Sequence, residues 1–84
     1  MKTTINSLIE LATISNNENR IELYKAMAQK LKNATKQEQN HLLEHFYANL
    51  CGLMAHSEME SNEYNKLNIL LKHLQNICQA SQQP

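Results

Sequence analysis

Apolar side chains recur at alternating steps of three and four in three stretches of this chain, and that spacing restricts it to helices packed along seams. The stretches are Ile21, Tyr24, Ala28 and Leu31; Leu43, Phe46, Leu50 and Leu53; and Tyr64, Leu67, Leu71, Leu74 and Cys78. A side chain repeated every 3.5 residues stays on one side of an α-helix, so each stretch offers a face to a neighbouring helix. No proline precedes Pro84, and the single glycine, Gly52, falls inside a helical stretch. Tight glycine turns are therefore lacking, and a β-rich fold with them.

The joints follow from capping chemistry. A short first helix is expected over about 4–14, with Thr3 or Thr4 as cap and Ile5, Leu8, Ile9 and Ala12 on one face. Ser15 and Glu18 have the S-x-x-E spacing of a capping box and open a second helix over about 18–33. Thr35 and Glu38 repeat the spacing, so a break is expected there, with a third helix over about 36–56. The fourth runs over about 61–80, leaving residues 81–84 as a frayed tail. Connections this short make successive helices neighbours. The expected architecture is an all-α, antiparallel bundle of three long helices plus a short first one, with the third and fourth as its central hairpin.

A chain of 84 residues forms one domain with a small core. Its two cysteines, Cys51 and Cys78, lie in apolar helical stretches, which suits reduced thiols in a cytoplasmic protein better than a disulfide scaffold. Asn6, Ser7 and Glu10 interrupt the first apolar run, so an export signal is not expected, and no stretch approaches the length of a membrane span.

Eight basic and eight acidic residues cancel. They are segregated, however: residues 20–36 hold Arg20, Lys25, Lys30, Lys32 and Lys36 against Glu22 alone, and residues 37–63 hold five glutamates and no lysine or arginine. Lys25, Gln29, Lys32 and Lys36 follow steps of four, three and four. As one stripe, these lysines could face an anionic partner, nucleic acid included. With Arg20 the only arginine, base-specific reading is not expected.

Catalytic chemistry finds little material. A phosphate-cradling loop needs several glycines, and a hydrolytic triad needs a cleft that so small a bundle has little room for. His41 and His45 lie four apart on one helical face, with Glu38 one turn earlier, which makes these three the weak candidates for a metal site. The string His41, Leu42, Leu43, Glu44, His45 matches H-x-x-E-H, but its leucines belong to a packing face. Glu38 and His41 give one E-x-x-H, where a di-iron bundle needs two. No cofactor is expected.

With Leu43 at heptad position a, His41, His45, Ala48, Gly52 and Ala55 fall alternately at f and c, behind the seam. A glycine inside a helix costs roughly 1 kcal/mol relative to alanine, and small side chains let another backbone come close. The strip is thus a docking surface for a partner or second subunit, or else the bed on which the first or second helix crosses, or plain solvent-facing surface. Ile69 stands likewise at the back of the fourth helix. The functional expectation is a non-enzymatic interaction module: a small regulator, adaptor or inhibitor of a larger protein, acting as a homodimer. A nucleic-acid-associated regulator and a metal-binding helper are the alternatives.

Overall fold

All three expected seams wind into helices, and a first helix joins them. The computed structural model describes residues 2–82, with side chains through residue 78. It is an all-α bundle of α1 (Lys2–Ile14), α2 (Glu18–Asn33), α3 (Lys36–His56) and α4 (Ser61–Gln82). No helix among the described residues is long and apolar enough to cross a membrane.

The first helix departs most from expectation. It begins at Lys2 and has 13 residues, so it is not a short appendage. Thr4 therefore lies inside it, buried, and does not cap it. Its buried face is Thr4, Leu8, Leu11 and Ala12, with Leu11 where Ile9 was expected; Ile9 is half exposed. The reason is tertiary: α1 packs against both α2 and α4. A side chain on the stripe between two neighbours is covered, and one to its side is left at the rim. Among the described residues the α1–α2 contact is also the most extensive, ahead of the α3–α4 pair expected to be central. By contrast, α2 and α3 approach each other only slightly.

Capping explains the joints. The cap of α2 is Asn17, whose Oδ1 accepts from the amide of Arg20, and not Ser15. Ser15 Oγ instead accepts from the Asn17 amide within the turn. The α2–α3 break falls at Ala34–Thr35, as the spacing requires. There Thr35 Oγ1 accepts from the Glu38 amide, and Glu38 Oε1 accepts from the Thr35 amide, a complete capping box. The Gln39 side chain closes the joint by donating to the Leu31 carbonyl. At the other end α4 continues through Gln82, so residues 81 and 82 are helical; the expected fraying of residues 83 and 84 lies outside the described residues.

The core is one cluster of Leu8, Leu11, Ala12, Tyr24, Met27, Ala28, Leu31, Leu43, Phe46, Leu50, Leu67, Leu70, Leu71 and Leu74. Nine of these fourteen are leucines, so the core is filled mainly by side chains of one shape. Ile21, Leu53 and Cys78 are half-buried at seam ends. Tyr64, the first residue of the third expected seam, is 45% exposed, because the stripe enters α4 one residue earlier, at Glu63.

Candidate functional site

Two charged residues lie in the interior, and both continue apolar stripes. Arg20 precedes Tyr24 by one helical turn, and Glu63 precedes Leu67 by one turn, so winding α2 and α4 brings both side chains inward. Arg20 Nε donates to Glu63 Oε2 at 2.8 Å and Nη2 to Oε1 at 3.1 Å. Tyr24 Oη donates to Glu63 Oε2 at 2.7 Å, and Arg20 Nη2 also reaches Asn16 Oδ1 at 3.0 Å. Burial is the largest influence on Glu63 and pushes its pKa up, but hydrogen bonds from Arg20, Tyr24 and Ser15 and the guanidinium charge hold it below the ordinary carboxylate value. Burial, then the Glu63 contact, raises the Tyr24 phenol well above its usual range, so it remains a donor.

This network fixes α2 against α4 and the α1–α2 turn; it is a structural lock. Asn16 Nδ2 reaches Glu60 at 3.4 Å just outside it, and Glu10 pairs with Lys66 farther along α4. Residue 15 beside 63 and residue 10 beside 66 mean that α1 and α4 run in opposite directions. In the sequence Arg20 belongs to the basic segment and Glu63 closes the acidic one. The signal passed over there is the helical spacing of each to the leucine or tyrosine stripe that follows.

The surface residues are distributed as follows. His41, His45, Ala48, Gly52 and Ala55 are all exposed, and a Cβ built on Gly52 meets nothing within 4 Å. Neither α1 nor α2 crosses Gly52, so the intramolecular explanation of the strip is removed there. Ile69 is 68% exposed on α4. Glu38 turns its carboxylate to the Thr35 amide, and that bond together with the Thr35 hydroxyl holds its pKa below the usual value. Among the described residues, no group of three or more metal-ligating side chains comes together, so Glu38, His41 and His45 do not form a three-ligand set. Cys51 and Cys78 are free and half-buried. Burial, followed by the charge of Glu44, pushes the Cys78 thiol up, which keeps it in its less nucleophilic form.

The lysine stripe is broken. Lys36 opens α3 beyond the helix break, while Lys25 and Lys32 remain together on α2. These two border a groove of about 320 Å³ between α1 and α2, lined also by Ile5, Ile9, Ala28 and Gln29. Helical spacing along α2 could find the lysines but not the isoleucines opposite, because the groove exists only once α1 is laid against α2. Compared with protein-family models, curated proteins and solved structures, the chain matches none.

Proposed function

We propose that this chain is a non-enzymatic helical interaction module, a small regulator, adaptor or inhibitor of a larger protein, which pairs with a second copy of itself. The observation that carries the reading is Gly52: it lies inside a helix of 21 residues, is exposed, and has no neighbour within 4 Å that would need its missing side chain. A glycine there costs roughly 1 kcal/mol of helix stability, with no return inside the domain. An approaching backbone from outside is a physical return. Ala48 and Ala55 flank it along the same side of the helix, and Ile69 is a large apolar side chain left to water on α4.

The test uses Gly52→Leu. Because Gly52 is exposed and a Cβ there meets nothing within 4 Å, the variant should fold, which separates loss of association from loss of structure. Sedimentation at graded concentrations should show the wild type as a dimer and the variant as a monomer. Affinity capture from the host should lose the larger partner in parallel. A folded Gly52→Leu protein that stays dimeric and keeps its partner means that this strip is not the contact.

A further inference from the structure

We infer that the groove between α1 and α2 is a second docking surface, and that it takes an acidic amphipathic helix from another protein. Its two walls differ in chemistry. Ile5 and Ile9, one turn apart on α1, form one wall, with Ile9 50% exposed; Ala28 lies between; Lys25 and Lys32 stand on the α2 side. Seven residues separate the lysines, so they rise from the same face of α2 about 10 Å apart. Neither lysine forms an ion pair among the described residues, whereas Lys66 and Arg20 do.

Such a groove matches one kind of occupant. An apolar wall requires apolar side chains opposite, and two unpaired ammonium groups two turns apart require anionic groups at the same interval. A helix with leucines on one stripe and glutamates seven apart beside it meets both demands. A second copy docking through this same face would set Lys25 and Lys32 against their own counterparts, which charge repulsion disfavours. Phosphate backbone would satisfy the lysines but leave Ile5 and Ile9 against a hydrophilic surface. The inference goes beyond the interaction-module reading and assigns this groove a protein partner of its own, separate from whatever meets the Gly52 strip. It rests on a face other than the Gly52 strip, so either can fail while the other stands.

The test is a titration of isotope-labelled full-length protein, followed by amide NMR. The probes are a synthetic helical peptide carrying leucines at i, i+3 and i+7 and glutamates at i+4 and i+11, its lysine-for-glutamate counterpart, and a single-stranded oligonucleotide. The acidic peptide should shift the amides of Ile5, Ile9, Lys25 and Lys32, and the lysine peptide should not. The double substitution Lys25→Glu with Lys32→Glu should weaken acidic-peptide binding at least tenfold, as should Ile9→Asn, while Gly52→Leu leaves it unchanged. Absence of acidic-peptide binding overturns the inference. So do shifts confined to other faces, indifference to the double substitution, or preferential, salt-steep binding of the oligonucleotide at this groove.

Discussion

At the scale of single residues, the polar interior decides most. Glu63 is 1% exposed and receives hydrogen bonds from Arg20 and Tyr24, so removing one member leaves a buried charge without its counterpart. Arg20→Ala or Glu63→Ala should cost about 3–5 kcal/mol in urea denaturation, whereas the combined Arg20→Met, Tyr24→Phe, Glu63→Leu protein should equal or exceed the wild type, since an apolar replacement removes the desolvation cost as well. A loss below about 1 kcal/mol for the single alanine variants would show that the lock contributes little. The lowered pKa of Glu63 fixes the sign with acid: its contribution is complete above the unfolded glutamate pKa of about 4.3 and disappears as pH falls through the lower folded value. The triple variant should therefore lose less stability than the wild type between neutral pH and strong acid. Thr4 is the opposite case, a buried hydroxyl with no partner among the described residues. Replacing it by valine relieves an unsatisfied polar group and should raise stability by about 1 kcal/mol, read as a higher urea midpoint; an unchanged or lower midpoint counts against the unsatisfied hydroxyl. Both features were legible in part. Thr4, Arg20 and Glu63 each stand four residues before a core position, which helical spacing exposes, but the pairing of Arg20 with Glu63 spans 43 residues and emerges only with packing.

At the scale of elements, helix number, type and most boundaries could be read from the sequence, because seam spacing and capping chemistry are local. The Thr35–Glu38 box is the clearest instance: its two reciprocal bonds end one helix and start the next. Thr35→Ala removes the hydroxyl that satisfies the Glu38 amide and should cost about 1 kcal/mol by thermal or urea unfolding, and Thr35→Ser should restore most of it. Should Thr35→Ala match the wild type, the break would owe its position to tertiary packing instead. Local spacing misled at the previous joint, where Ser15–Glu18 has the capping-box spacing and the structure caps α2 with Asn17 instead. It also misjudged α1, since propensity and length make an isolated 13-residue helix look marginal. Burial against two neighbours supplies what the segment lacks alone, and it is the same contact that turns Ile9 outward.

At the scale of the whole molecule, Gly52 and Ile69 remain outside the core on α3 and α4, and the Ile5–Lys32 groove remains outside it between α1 and α2. The first two residues were visible as helical positions behind a seam; the groove was not, because it belongs to a pair of helices. If Ile69 lies in a contact between copies, stability must depend on protein concentration, since association stabilises the folded chain by mass action. Each tenfold rise in concentration above the dissociation constant should then contribute about 0.7 kcal/mol per chain, a shift of roughly 3–5 °C in Tm for a domain of this size. Ile69→Lys replaces a side chain that is 68% exposed in the monomer, so its intrinsic effect on folding should stay within about 0.5 kcal/mol. The variant should consequently melt at a temperature independent of concentration and close to that of the diluted wild type. Differential scanning calorimetry across two decades of concentration measures both quantities together. A wild-type Tm that does not move over that range removes self-association from the function, and a variant that still shifts places the contact elsewhere on the surface.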